Sequence, residues 1–122
     1  MSWLILFHHE FYPEFQALVD DVQDELLAQL KVIRLFGPET GRPRVDTLKG
    51  SRHANMKELR FDAAGGVWRV AFAFDPKRRA ILLIAGDKSG VSEKSFYRQL
   101  IRKADARYEN HVKGLKQTAK DA

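Results

Sequence analysis

A chain of 122 residues with 21 lysines and arginines, 16 acids and no cysteine has room for one core and no thiol chemistry. That composition excludes a disulfide framework and a cysteine-ligated metal centre, and it suits a reducing compartment. The net charge of +5 conceals a segregation: residues 1–30 hold six acids and no lysine or arginine, so the remainder carries a balance of +11.

A basic excess of that size attracts polyanions, and nucleic acid is the polyanion that fits a small cytosolic domain. A solvated basic surface without a ligand is the plainer alternative. In chain order, Trp3 to Phe7 reads as a short strand. It is too short to cross a bilayer and lacks the basic flank and cleavage site of a signal peptide, so a single cytoplasmic domain spanning 1–122 with no membrane partner is expected. His8 and His9 follow, but neighbours on a strand point to opposite faces, and no third ligand stands at a chelating spacing. No metal site and no cofactor are expected.

From Pro13 to Phe36 apolar residues recur at three- and four-residue spacing, including Phe15, Leu18, Val22, Leu26, Leu30 and Ile33. Acids cluster toward the front of this stretch, Lys31 and Arg34 stand near its end, and Gly37-Pro38 stops it. It is either one helix or, with a break near Asp20-Asp21, an antiparallel helical hairpin. Gly37 to Asn55 reads as a loop docked by Val45 and Leu48, with Arg42, Arg44, Lys49, Arg52 and His53 spread through it. Such a loop serves phosphate contact, or it is simply an exposed connection.

Asn55 to Lys88 contains three short apolar runs separated by Gly65-Gly66 and by Pro76 to Arg79, the pattern of an antiparallel meander. Alternation puts Trp68, Val70, Phe72 and Phe74 on one face with Leu59 and Phe61. The other face carries Ala71 and Ala73, with Glu58, Arg60 and Arg69, and Lys88 arrives at the end of the third run. This second face reads as shallow and open, and it is the candidate site. Ser92 to about Leu115 forms a last helix with a stripe of Phe96, Leu100, Ile101, Ala104, Tyr108 and Val112. Lys94, Arg98, Arg102, Lys103 and Arg107 fill much of its remainder, as a binding face or for solubility, and a frayed tail is expected from Lys116.

The order of these segments resembles the RelE/ParE superfamily of type II toxin–antitoxin toxins, and most closely its HigB-like, phage-derived branch. The residues that carry the resemblance are Gly41-Arg42-Pro43, Val45 to Ser51, Met56 to Phe61, Val67 to Phe72, and Ile81 to Ile84 followed by Gly86-Asp87-Lys88. It implies an α+β, microbial-RNase-like fold, with an N-terminal helical hairpin and a C-terminal helix on a small, mainly antiparallel four-stranded sheet. It also implies ribosome-dependent, metal-independent endoribonuclease cleavage of mRNA, neutralised by a cognate antitoxin, often of the helix-turn-helix type. The family's basic strand residues fall on Arg60 and Arg69 and its strand-closing lysine on Lys88, while an aromatic that positions RNA falls on Tyr97 or Phe96. His111 sits beside the core stripe and does not take over the late histidine of some relatives.

The chemistry needs charge stabilisation at phosphorus, a proton acceptor and a proton donor. Arginines suit the first task, Arg69 foremost with Arg60 assisting. Glu58, Asp87, Lys57, Lys88 and His53 are candidates for proton transfer, although Glu58 and Arg60 also make sense as a plain ion pair. Arg42, Arg44, Lys49, Arg52, His53, Lys57 and Arg98 are the expected RNA contacts. A gyrase-inhibiting toxin of the ParE type and a non-enzymatic nucleic-acid-binding module are the alternatives.

Overall fold

The meander forms because the chemistry of each turn matches its place. In the computed structural model, which describes residues 2–121 and side chains as far as 117, the middle strands are β3 (Met56–Ala63), β4 (Gly66–Phe74) and β5 (Arg79–Asp87). Ala64 and Gly65 join the first two with φ of 50° and 76°, a two-residue turn whose twist matches that of the strands. At the second turn the buried Asp75 carboxylate accepts hydrogen bonds from the backbone of Lys77 and Arg79 and from the Arg79 guanidinium.

The sheet has five strands in the order β1-β5-β4-β3-β2, where β1 is Leu4–Phe7 and β2 is Val45–Thr47. Three pairings are antiparallel and β1 lies parallel to β5, so the sheet is mixed. The fifth strand corrects the expected four. Val45, Asp46 and Thr47 pair with Leu59, Glu58 and Lys57, and only three residues were available to signal it inside a glycine- and proline-rich stretch.

The helical hairpin also needs correction. Its first arm is the six-residue α1 (Phe11–Gln16), and the second is α2 (Asp20–Phe36), of 17 residues. The break comes at Ala17 to Val19, where Val19 is extended and the Gln23 amide donates to the Leu18 and Gln16 carbonyls. The last helix, α3 (Glu93–Asp121), runs past the expected end near Leu115; the tail expected to fray there lies, from residue 118, outside the described side chains.

Both faces of the sheet are packed. Phe11, Phe15, Val22, Leu26 and Ile33 of α1 and α2 cover Leu59, Val70, Phe72 and Leu82. On the opposite face Leu100, Ala104 and Tyr108 of α3 cover Met56, Ala71, Ala73, Ile81 and Leu83. The face read as shallow and open is therefore mostly a second core. Its alanines are small because a helix lies on them, and a Cβ at Gly86 would stand 2.8 Å from the Phe96 ring. The face opens at one edge toward Glu58, Arg60 and the start of α3, and at the other beside Ile84 and Gly86.

His8 is buried where β1 ends, accepting from the Glu10 N–H at Nδ1, with Nε2 3.3 Å from Asn110 Oδ1. Burial pushes its pKa down; His9 and Arg107 act the same way, and Asn110 and Glu10 only partly oppose them. The unfolded chain therefore takes up this proton first, and stability falls as pH drops below about 6.5 toward the lower folded value. Urea titrations of the wild type at pH 7.5 and 5.5 are expected to show that loss, and His8→Gln to flatten it.

Candidate active site

Register brings the charged residues of the central strands together. Arg60 lies directly opposite Arg69, and Glu58 stands one pleat away on the same face. Two guanidiniums side by side repel, and one carboxylate reconciles them: Glu58 Oε1 is 3.7 Å from Arg60 Nε and 3.4 Å from Arg69 Nε. Tyr97, one turn into α3, donates its hydroxyl hydrogen to the same Oε1 at 2.9 Å and accepts from Arg69 Nε at 3.3 Å. Glu58 Oε2 has no hydrogen bond among the described residues.

These groups floor a groove of about 560 Å³ between β2 and the start of α3. Glu58, Arg60 and Tyr97 line it, together with Arg42 and Lys49 from the basic segment. Arg69, 6 % exposed, lies behind Tyr97 instead of in the groove wall. Lys88 stands beside the same tyrosine, 6.0 Å from its ring centroid, with its ammonium 3.2 Å from Glu93. Glu58, Arg60, Arg69, Tyr97 and Lys88 thus form one cluster.

The expected RNA contacts divide. Arg42 and Lys49 reach the groove, with Arg42 3.6 Å from Asp46. Arg44 turns toward α2 and donates to Gln29, while Lys57, on the opposite face of β3, donates to Thr47. Arg98 is exposed on α3. Arg52 and His53 are paired with Glu109, twelve residues beyond Tyr97 and so about 18 Å along the helix. That distance also removes His53 as a proton acceptor in the groove. Asp87 is likewise spoken for: hydrogen bonds from the Ser89 hydroxyl and N–H, and from Val67 N–H, hold its carboxyl below the usual range and brace the strand ends.

Sequence reasoning passed over Asp46, Thr47 and Glu93, which line the groove, and placed Lys94, which also lines it, only on a general basic helix face. Lys94 was accessible, since it precedes Tyr97 by three and shares its helix face. Asp46 was hidden with the unrecognised strand. Burial pushes the Tyr97 phenol above its ordinary pKa and the bond to Glu58 acts in the same direction, with Arg69 opposing, so a neutral O–H faces the carboxylate at physiological pH. No group of three or more histidine, cysteine or acidic residues poised to hold a metal occurs among the described residues.

A mixed five-stranded sheet between helices is the fold of the RelE-like toxins. The structure of a doubly substituted E. coli toxin RelE in the free state superposes with a TM-score of 0.57 over 84% of this chain and 97% of that one, a likeness of fold at 14% identity. The chain belongs to the phage-derived Gp49-like family, whose sequence pattern matches residues 13–109, within the HigB branch of the RelE/ParE-like toxins. It is 45% identical over 96 residues to toxin HigB3 of Mycobacterium tuberculosis (strain ATCC 25618 / H37Rv), covering 79% of this chain and 82% of that protein. Against toxin HigB2 of the same organism the figures are 43% over 94 residues, 76% of this chain and 46% of that protein, so the match spans less than half of HigB2. The resemblance carried by residues 41 to 88 is borne out. No helix among the described residues is long and apolar enough to cross a membrane.

Proposed function

We propose that this chain is the toxin of a type II toxin–antitoxin module, that it cleaves mRNA on the ribosome in the cytoplasm, and that a cognate antitoxin neutralises it. The observation that carries this reading is the convergence of Glu58, Arg60 and Tyr97 on one open groove. RNA supplies its own nucleophile, so the protein has to orient the 2′-hydroxyl, take its proton, stabilise the extra negative charge at phosphorus and protonate the departing 5′-oxygen.

In this reading the free Oε2 of Glu58 takes the 2′-proton. Arg60 faces the non-bridging oxygens, since a guanidinium is charged at every relevant pH and matches phosphate geometry. Once Glu58 is protonated it is a weaker acceptor for the Tyr97 hydroxyl, which frees that proton for the 5′-oxygen. Arg42, Lys49 and Lys94 stand along the groove, where neighbouring phosphates of the strand would pass.

Expression of the chain without its antitoxin is expected to arrest growth, with new transcript ends inside translated reading frames. Growth arrest with damaged DNA and intact mRNA would overturn the reading in favour of gyrase inhibition. Normal growth with intact transcripts would leave a binding module only.

A further inference from the structure

Arg69 is the cation the sequence most favours for direct work on the phosphate, yet it is the least accessible of the cluster. It is 6 % exposed, and the groove is lined by its neighbours Glu58, Arg60 and Tyr97. Its guanidinium is already committed. Nη1 donates to the Trp68 carbonyl at 2.8 Å, and Nε donates to the Tyr97 hydroxyl at 3.3 Å and lies 3.4 Å from Glu58 Oε1. Neighbouring residues crowd it on both strands. Its partner across β5 is Gly86, against which the Phe96 ring packs, and its partner across β3 is Arg60. Tyr97 stands between Arg69 and the groove.

Burying a Glu–Arg pair is a poor route to stability, because desolvation offsets most of the attraction and apolar residues of similar size serve as well. The surrounding face offers such a solution in Ala71 and Ala73 under α3. A charged pair kept where the face opens into the groove calls for a role there.

We propose that Arg69 is a positioning residue that holds the Tyr97 hydroxyl and the Glu58 carboxylate in register from behind the groove and does not touch the RNA. This rests on the ribonuclease reading above. Glu58 Oε1 is occupied by Tyr97, Arg69 and Arg60, which fixes the carboxylate plane and leaves Oε2 for the 2′-hydroxyl. Arg60, by contrast, is the arginine that meets the phosphate.

The test compares Arg69→Lys, Arg69→Gln, Tyr97→Phe and Arg60→Gln in the full chain, by single-turnover cleavage of mRNA on programmed ribosomes. The second readout is the salt dependence of binding to an RNA oligonucleotide carrying 2′-deoxy at the scissile nucleotide. The Arg69 variants are expected to lose about 10- to 100-fold in kcat, with KM within about twofold, as misplacement of a reacting group does. Their plot of log K against log salt should keep the wild-type slope, whereas Arg60→Gln should lower it by about one. Arg69→Lys combined with Tyr97→Phe should cost no more than the worse single change, since both break one unit. Should the glutamine variant not fold, Arg69→Lys, which keeps the charge and loses the fixed two-point contact, carries the test.

A slope reduced by about one in the Arg69 variants, or fully additive losses, overturns the proposal while leaving the ribonuclease reading intact. An equal loss of folded protein and activity, with unchanged kcat per folded molecule, overturns it in favour of a purely structural arginine. A wild type that binds RNA and never cleaves it removes the ribonuclease reading, and the inference falls with it.

Discussion

Glu58→Gln is expected to lower the rate of RNA cleavage by about 10²–10⁴-fold, with little change in RNA affinity. Glutamine keeps the size of the side chain and an oxygen for the Tyr97 hydroxyl, so the groove should hold its shape. It cannot take a proton from a 2′-hydroxyl, and it sets no negative charge between Arg60 and Arg69, which face each other across the strands. Those arginines then repel more strongly, but they also attract a phosphate more strongly. Affinity for RNA should therefore hold or rise as the rate collapses, a split that a loss of folding cannot imitate. Single-turnover cleavage measured beside equilibrium binding reads both quantities. Equal falls in rate and affinity would remove Glu58 from the proton-transfer step.

Arg107→Ala is expected to cost about 3 kcal/mol of stability, the low end of the range for breaking a buried pair, because the carboxylates concerned are half in water. Arg107 was read as one of several basic residues on the outside of the last helix, and it is 8 % exposed. Its Nη1 and Nη2 donate to the two oxygens of Glu14 at 2.8 and 2.6 Å, Nη1 also donates to the Leu83 carbonyl at 2.8 Å, and Nε is 3.3 Å from Glu10. The side chain thereby ties α3 to α1 and to β5. The hydrogen bonds it gives hold the Glu14 carboxyl below its ordinary range, against a smaller effect of burial, and Glu14 raises Arg107 in return. Because the folded Glu14 resists protonation, its contribution is complete above the ordinary glutamate pKa and is lost as pH falls through the lower folded value. Urea unfolding at neutral pH measures the loss. Arg107→Lys should recover little of it, since an ammonium cannot make the two-pronged contact.

The residues of the meander were legible because β-strands alternate. Trp68, Val70 and Phe72 could only face one way, and Glu58, Arg60 and Arg69 had to share the other. The stripe of α3 was equally plain, yet its consequence was missed. A helix carrying Leu100, Ala104 and Tyr108 needs a surface to cover, and Ala71 and Ala73 are that surface. Taken together, the two patterns would have shown that the face was half closed and that Arg69 lay at the edge of the closed half. Long-range ion pairs have no local signal. Glu14 and Arg107 are 93 residues apart, and His53 meets Glu109 across 56, so Arg107 passed for a solvated residue and His53 for a groove residue. Strand β2 was hidden by its three-residue length, and the groove wall bearing Asp46 was hidden with it.

The most direct test of a groove that directs a 2′-hydroxyl against its neighbouring phosphate is the chemistry of the cut ends. Purified protein incubated with ribosomes programmed with mRNA labelled upstream of the cut is expected to yield upstream fragments ending in a 2′,3′-cyclic phosphate, and downstream fragments beginning with a 5′-hydroxyl. Both ends should disappear with Glu58→Gln. Upstream fragments ending in a free 3′-hydroxyl, or uncut mRNA in the presence of folded wild-type protein, would contradict the account.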